Sequence, residues 1–126
     1  MNKRDILLVD DDACYLHLLS SLLRLKRFEV VVAPHAFSAL ELLENGNVGL
    51  LITDFDMPGM NGLELASCAR ERYPDMTVFM ITASLLPDIV EGAVRTGISH
   101  VFPKPLDIDN FVESIRSILY PNLGKM

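Results

Sequence analysis

The chain has 126 residues, of which 50% are hydrophobic, and carries a formal net charge of −6 from 17 acidic and 11 basic residues. This length suits a single domain with one continuous core, and the apolar content excludes a disordered chain. The acidic balance argues against direct binding to nucleic acid or an anionic membrane, because phosphate contacts require a basic surface.

Five short apolar segments occur along the chain, and their residues do not alternate with polar ones. Runs of this kind, rich in β-branched residues, are typical of strands buried on both faces of a parallel sheet. In chain order they are residues 6–9 (ILLV), 29–33 (EVVVA), 48–53 (VGLLIT), 77–82 (TVFMIT) and 100–103 (HVFP).

The segments between these strands have the spacing of amphipathic helices, with apolar residues three and four positions apart. The first series is Leu16, Leu19, Leu22 and Leu23, and the last is Phe111, Ile115, Ile118 and Leu119. Asp107 is a predicted helix N-cap, while Asn45-Gly46 and Thr96-Gly97 are predicted helix ends. The alternation predicts an α/β fold, a five-stranded parallel sheet that is doubly wound as (βα)5.

We expect residues 1–120 to form this domain and residues 121–126 to be a C-terminal tail or the stub of a linker. The final stretch, YPNLGKM, places a proline and a glycine after the last predicted helix. Both residue types interrupt helices.

Four of the five predicted strands deliver a polar side chain to the same edge of the sheet. In an open parallel sheet, ligands bind at the carboxyl ends of the strands. The residues there are Asp10, Asp11 and Asp12 after the first strand, Asp54 after the third, Thr82 at the end of the fourth and Lys104 after the fifth. Only the second strand lacks such a residue. The strand order 2-1-3-4-5 makes the four functional strands contiguous and leaves the second at the rim.

The grouped aspartates predict a site for a divalent cation. Neighbouring strands lie about 4.8 Å apart, so Asp54 approaches Asp10 and Asp11. Carboxylates in one pocket raise each other's pKa unless a cation compensates, and a few carboxylates with open water positions suit Mg²⁺ better than Ca²⁺. Lys104 adds a fixed positive charge and Thr82 a hydroxyl. Together these groups can stabilise a phosphoryl group during its transfer to a carboxylate.

Each residue of this set also has an ordinary structural explanation when it is taken alone. An aspartate after a strand commonly forms a turn or caps a helix, and Asp12 fits that role as well as a functional one. Thr82 fits a strand end, and Lys104, between two prolines, fits a solvated loop. The coincidence of all of them at one sheet edge favours the functional interpretation.

The segments ILLVDDD, LLITDFDMPGMNGLEL, MITAS and FPKPLD have the order and spacing found in the receiver domains of bacterial two-component response regulators. The chain resembles this family from Ile6 to about Leu119. The resemblance implies a flavodoxin-like fold and a signalling function. Asp54 would accept a phosphoryl group from a sensor histidine kinase or a phosphotransfer protein, and the domain would then switch conformation. Such a domain is not an enzyme, since it catalyses only its own phosphorylation and dephosphorylation.

The resemblance also implies roles for the other residues of the site. The Mg²⁺ ligands would be Asp10, Asp11, Asp54 and the backbone carbonyl of Asp56. Lys104 would pair with the phosphoryl oxygens, and Thr82 would move to donate a hydrogen bond to them. The Lys104–Pro105 peptide bond is implied to be cis, a form that is inexpensive only before proline.

One position departs from the family pattern. Receiver domains often have Tyr or Phe three residues before the lysine, and its inward movement is coupled to the threonine hydroxyl. Val101 stands there, and Phe102 faces the other side of the strand. We therefore expect signalling mainly through the loop after Thr82 and the helix that follows. Asp56 and Ser84 occupy positions that tune the lifetime of the acyl phosphate in the family.

The chain has three other interpretations, two of which concern the DFDMPGMNG stretch. A calcium loop is rejected, because Pro58 occupies a ligand position and Leu65 stands where a bidentate glutamate is needed. A haloacid-dehalogenase-like phosphatase also uses a D-x-D strand end. Its acidic pair usually comes last rather than first, and this chain has no segment for a substrate-selecting cap. A degenerate receiver that only binds partners is supported by Val101 alone.

The remaining expectations concern location and partners. The apolar run near the start ends at three aspartates, so no signal peptide is predicted, and no run reaches the roughly 18 residues of a membrane span. Cys14 and Cys68 lie in predicted helices without a CxxC pair, which predicts reduced thiols and a cytoplasmic protein. The downstream partner would be an effector protein or an output domain absent from this chain. Any homodimer formed on phosphorylation would use the last two helices and the strand between them.

Overall fold

The structure, a computed structural model, describes residues 3–122 as five strands alternating with five helices. The strands are β1 (Asp5–Val9), β2 (Val30–Ala33), β3 (Val48–Asp54), β4 (Thr77–Thr82) and β5 (His100–Pro103). The helices are α1 (Ala13–Leu25), α2 (Ala36–Glu44), α3 (Gly62–Arg72), α4 (Pro87–Thr96) and α5 (Ile108–Leu119). The strand bounds agree with the sequence prediction to within one residue.

The five strands form one parallel sheet in the order β2-β1-β3-β4-β5, as predicted. The three strands β1, β3 and β4 are central, and their side chains are almost all buried. Successive side chains of a strand point to opposite faces. Leu7 and Val9 of β1 therefore enter one core, while Ile6 and Leu8 enter the other.

Helices cover both faces of the sheet, which confirms the doubly wound arrangement. Helices α1 and α5 pack on one face, and α2, α3 and α4 pack on the opposite face. Val101 and Phe102 divide between these two cores, as predicted from their alternation in β5. Because helices cover both faces of the sheet, polar residues that must reach solvent or a ligand lie at its edges, and here they lie at the carboxyl edge.

The helix boundaries follow the capping signals of the sequence. Asp12 caps α1 by accepting hydrogen bonds from the backbone N–H groups of Cys14 and Tyr15. Asp107 caps α5 in the same way, as predicted. Helix α4 ends at Gly97, whose φ of 86° lies in the left-handed region that glycine adopts without strain. Asn45 ends α2.

Helix α4 is the least anchored of the five helices. Ala93 is its single buried residue among those described, and no side chain caps its N-terminus. Leu86, Val90 and Val94 are exposed on its surface. It packs beside α3, where Gly92 faces the end of the Leu63 side chain. A helix held by so few buried contacts can move at small energetic cost.

Two further sequence expectations concern the chain ends and peptide geometry. The predicted tail, residues 121–126, falls largely on positions 123–126, which lie outside the described residues. The Lys104–Pro105 bond is cis, as predicted. Among residues 3–122, no helix combines the length and hydropathy needed to cross a bilayer.

The turn that connects β3 to α3 holds the strand end firmly against the helix. The N–H of Gly62 donates to the carbonyl of Phe55 at 2.8 Å. Asn61 and Glu64 form a reciprocal capping box at the start of α3. A Cβ added at Gly62 would lie 2.9 Å from the Cα of Phe55 and still closer to the carbonyl oxygen of Asp54. Glycine is therefore required for the helix to approach Asp54 this closely.

Replacing Gly62 by alanine is expected to destabilise the fold by about 1–3 kcal/mol, because the added methyl group overpacks the strand end. Without this contact, alanine in place of glycine would stabilise the helix by up to about 1 kcal/mol. A loss of stability in Gly62→Ala would therefore indicate the steric contact. Urea unfolding of the Gly62→Ala variant measures it. Ser67→Ala, on the exposed face of the same helix, is the control and should change stability by less than about 0.5 kcal/mol. Equal stability of Gly62→Ala and the native protein would contradict the close packing.

Candidate functional site

Asp10 and Asp12 follow β1, and hydrogen bonds hold the backbone there. The N–H of Asp10 donates to the carbonyl of Ala33 at 3.3 Å, which ties the end of β1 to β2. One carboxylate oxygen of Asp10 accepts from the N–H of Asp12 at 2.9 Å. Asp12 in turn caps α1, so its side chain has the structural role that the sequence left open. One oxygen of the Asp10 carboxylate is thus held at the start of α1, and the other lies 3.8 Å from the Nζ of Lys104.

Asp54 is the last residue of β3 and is buried, with 7% of its surface exposed. The next residue, Phe55, donates its N–H to the carbonyl of Ile81 at 2.9 Å, so the strand end is paired with β4 up to this point. Thr53 donates its hydroxyl to the Asp54 carbonyl at 2.8 Å. The backbone around Asp54 is therefore held by β4 and by the preceding residue of its own strand, which fixes the position from which its side chain extends.

The side chains of Asp10, Asp11 and Asp54 converge as predicted. One carboxylate oxygen from each lies within 4.8 Å of the others. Burial raises the pKa of Asp54, and the negative charge of Asp10 raises it further. Burial also raises the pKa of Asp10, against the lowering effects of the Asp12 N–H and Lys104. The cluster is therefore electrostatically costly in the absence of a cation.

Lys104 reaches this cluster from β5. Its backbone N–H donates to the carbonyl of Thr82 at 3.0 Å, which sets the start of the side chain beside β4. Its Nζ lies 3.2 Å from a carboxylate oxygen of Asp54 and 3.8 Å from one of Asp10. Burial by itself lowers the pKa of Lys104, but the hydrogen bond and charge of Asp54 outweigh it, so the pKa is raised. Lys104 is therefore charged throughout the physiological pH range.

The donor set of this pocket fits a hard divalent cation. Its three carboxylates and one ammonium carry a formal charge of −3 + 1 = −2. All the available ligand atoms are oxygens, which Mg²⁺ and Ca²⁺ prefer. With so few protein oxygens, several coordination positions would be left for water or substrate, as is usual for Mg²⁺. Burial is the main cause of the raised pKa values of Asp10 and Asp54, and neighbouring carboxylates add to it, so a positive charge placed here would favour their ionised forms.

Thr82 lies at the end of β4, is 2% exposed, and has its hydroxyl engaged within its own turn. The hydroxyl donates to the carbonyl of Ser84 at 3.1 Å and accepts from its N–H at 3.0 Å. Thr82 is therefore at the predicted edge, but its hydroxyl bonds to the turn that leads to α4 rather than to Asp54. These two hydrogen bonds connect Ser84 directly to Thr82.

The two remaining predicted positions differ in exposure. The side chain of Asp56 is exposed, and within residues 3–122 no backbone N–H donates to its carbonyl oxygen, which leaves that atom free for another partner. Val101 is half-buried in β5, pairs with Met80 and packs against the core beneath α4. Val101 therefore lies outside the carboxylate cluster, on the face of the sheet that α4 covers.

The sequence analysis did not identify Tyr15, which lies beside the same pocket. The Nζ of Lys104 stands 4.4 Å from the centre of the Tyr15 ring. Tyr15 occupies the first turn of α1, five residues after Asp10. The signal available in the sequence was an aromatic residue in the first turn of the helix that follows the acidic triplet. The contact could not be predicted from it, because the contact depends on the direction that the Lys104 side chain takes after β5.

Comparisons with known proteins agree with this geometry. The sequence matches the family model of the response regulator receiver domain over residues 6–116. It is 33% identical over 124 residues to a chemotaxis protein CheY homolog of Campylobacter jejuni, covering 95% of both chains. It is 34% identical over 116 residues to the chemotaxis protein CheY of Pseudomonas aeruginosa, covering 90% of this chain and 94% of that protein.

A similar solved structure is a CheY-like response regulator receiver domain protein from Methanospirillum hungatei, with a TM-score of 0.88 and 27% identity over 98% of each chain. The family match spans the strands that carry all four groups of the pocket, from Asp10 to Lys104. Relatives and fold neighbours therefore lead to the same assignment as the geometry: the chain belongs to the response regulator receiver domain family and is homologous to CheY.

Proposed function

We propose that Asp54 is the phosphoryl acceptor of this receiver domain, with Lys104 and Thr82 assisting the transfer. The observation that carries the proposal is the buried Asp54 carboxylate, 3.2 Å from the Lys104 ammonium and within 4.8 Å of two other carboxylates. Such a site combines a nucleophile with a fixed positive charge. A phosphoryl transfer requires little more of the protein than this positioning and charge stabilisation.

In the proposed step, a carboxylate oxygen of Asp54 forms a bond to the phosphorus of a donor phosphohistidine. The P–N bond breaks, and its electron pair returns to the ring nitrogen. The other ring nitrogen keeps its proton, so a neutral imidazole leaves. The Lys104 ammonium donates to a phosphoryl oxygen as the Asp54 carboxylate loses its negative charge to the acyl bond. The buried hydroxyl of Thr82 leaves Ser84 and donates to a second phosphoryl oxygen.

We further propose that Asp10, Asp11, Asp54 and the free backbone carbonyl of Asp56 hold Mg²⁺. The ion would supply countercharge for the phosphoryl oxygens and for the carboxylates that now repel one another. Asp10 and Asp54 are held by backbone hydrogen bonds of their strand ends, so they are organised before the ion binds. The exposed Asp56 side chain and the Ser84 turn flank the access of water to Asp54. They would set how long the acyl phosphate survives.

The partners follow from the same chemistry. A sensor histidine kinase or a phosphotransfer protein would supply the phosphoryl group. A solved complex pairs the Saccharomyces cerevisiae histidine phosphotransfer protein Ypd1 with the receiver domain of Ssk1. One of its chains has this fold, at a TM-score of 0.84 and 20% identity over 94% of this chain. The output would act on an effector protein or an output domain. We also propose that the protein is cytoplasmic and that its domain comprises residues 1–120. Any homodimer would form through α4, β5 and α5.

The structure favours α4 as the element that conveys the signal. When the Thr82 hydroxyl turns to a phosphoryl group, its two hydrogen bonds to Ser84 are lost. The turn between β4 and α4 is then released, and α4 has few buried contacts to resist movement. Val101 cannot act as an aromatic switch, because its side chain is short and already packs against the core. The released turn would therefore be the main route of signalling.

Incubation with acetyl phosphate and Mg²⁺ is expected to add a single phosphoryl group to the native protein and none to Asp54→Asn, because the amide is not a nucleophile at neutral pH. Intact mass spectrometry measures the adduct. Asp75→Asn, an exposed aspartate at the opposite end of the sheet, is the matched control and should be modified as the native protein is. Turnover of a simple phosphomonoester without an adduct would instead indicate an aspartate-based phosphatase. Neither reaction would indicate a partner-binding module.

Replacing Asp11 by asparagine should raise the melting temperature without metal by about 2 °C, because one of three repelling charges is removed. The stabilisation on adding Mg²⁺ should shrink at the same time, because a ligand is lost. Thermal unfolding with and without Mg²⁺ measures both. Asp12→Asn is the control, since asparagine caps α1 equally well and Asp12 is outside the cluster; its Mg²⁺ response should remain. An undiminished response in Asp11→Asn would remove Asp11 from the ligands.

Phosphorylation should shift the backbone amide resonances of residues 83–96 more than those of α2, because the Thr82 turn leads into α4. Two-dimensional ¹H–¹⁵N spectra before and after acetyl phosphate treatment measure the shifts, with Asp54→Asn treated identically. If residues 83–96 keep their resonances while an adduct forms, α4 does not convey the signal.

A further inference from the structure

We propose that Tyr15 is a positioning residue that holds the Lys104 ammonium in the carboxylate pocket through the face of its ring. The Nζ of Lys104 lies 4.4 Å from the ring centre, within the distance of about 6 Å at which a cation is attracted to an aromatic face. The functional consequence rests on the proposed phosphoryl acceptance at Asp54, in which Lys104 takes part.

The ring complements the two carboxylates that Lys104 contacts. Asp54 lies 3.2 Å and Asp10 3.8 Å from the ammonium. Lysine carries its charge on a flexible stem of four methylene groups, so ion pairs alone define its position loosely. Asp10 and Asp54 are also proposed metal ligands, and a bound cation would weaken their attraction for the ammonium. The attraction of the Tyr15 ring does not depend on those carboxylates and would persist.

The backbone of Tyr15 is fixed by the same network that orients the aspartates. The N–H of Tyr15 donates to the side chain of Asp12 at 3.2 Å, and the N–H of Asp12 donates to Asp10 at 2.9 Å. The side chain of Tyr15 packs against the core shared by α1 and α5. Position and orientation of the ring are thus set by α1, whereas Lys104 arrives from β5. The contact joins two elements that are distant in the chain.

The phenol group of Tyr15 stays neutral at neutral pH, so the ring meets the Lys104 ammonium as an uncharged aromatic face. Burial raises the pKa of Tyr15, and the charges of Asp10 and Asp54 raise it further, although Lys104 lowers it. The hydroxyl is not needed to attract a cation to the ring face. Phenylalanine at this position should therefore act as tyrosine does, whereas leucine preserves only apolar volume.

The test compares Tyr15→Phe with Tyr15→Leu by two measurements. In the unphosphorylated protein, the methylene protons next to Nζ of Lys104 should be shifted upfield by the ring current in the native protein and Tyr15→Phe, and should lose this shift in Tyr15→Leu. With acetyl phosphate, the maximal rate of adduct formation should fall about 3- to 10-fold in Tyr15→Leu and stay within about twofold in Tyr15→Phe. The donor concentration for half-maximal rate should change less.

Leu18→Ala is the matched control, because Leu18 is exposed on the same helix and borders the same groove as Tyr15. It should preserve both the Lys104 resonances and the rate, and thermal unfolding verifies that every variant is folded. Identical Lys104 shifts in all variants would overturn the proposal. So would an unchanged rate in Tyr15→Leu after the ring-current shift is lost. Absence of an adduct in the native protein would count against phosphoryl acceptance, while the Lys104 resonances would still decide whether the ring holds the ammonium.

Discussion

The rest of this structure depends on one constraint, the concentration of negative charge at the carboxyl edge of the sheet. Asp10 and Asp54 are buried together with Asp11 nearby, and burial and mutual repulsion raise the pKa values of the first two. A flexible surface would let such groups separate. Here each strand end is hydrogen-bonded to a neighbouring strand, so the carboxylates stay close and the Lys104 ammonium is drawn to them. The proposed Mg²⁺ would relieve this repulsion.

The molecule has a rigid part and a part that can respond, and they differ in how many buried residues hold them. Strands β1, β3 and β4 are buried on both faces and place Asp10, Asp54 and Thr82 with little freedom. Helix α4 buries a single residue and begins just after the turn bonded to the Thr82 hydroxyl. In the proposed function, the Thr82 turn would carry a change at the rigid edge to α4, an element that moves at small energetic cost. Tyr15 belongs to the rigid part, because its helix is capped by Asp12, which directly follows the pocket residues Asp10 and Asp11.

Most of the fold was predictable because its signals are local and mutually consistent. The structure has strands at the five apolar runs, a helix cap at Asp107 and a helix end at Gly97, as predicted. The convergence of Asp10, Asp11, Asp54 and Lys104 was also predictable, since parallel strands deliver their carboxyl ends to one edge. Two features of the site were not. The Thr82 hydroxyl is engaged by Ser84, and the Tyr15 ring lies against Lys104; both depend on side-chain directions that residue type and spacing leave undetermined.

By itself, the sequence determined the class of fold, the strand order that makes its polar strand ends contiguous, and the set of oxygen ligands and countercharge at the edge. These follow from periodicity and residue type, which reflect burial and chemistry at each position. Only the tertiary structure decided which atoms touch: the 3.2 Å pairing of Lys104 with Asp54, the retention of the Thr82 hydroxyl in its own turn, and the aromatic face of Tyr15 beside the ammonium. Such contacts join residues from separate strands and helices, and they arise from packing of the whole sheet rather than from any local pattern.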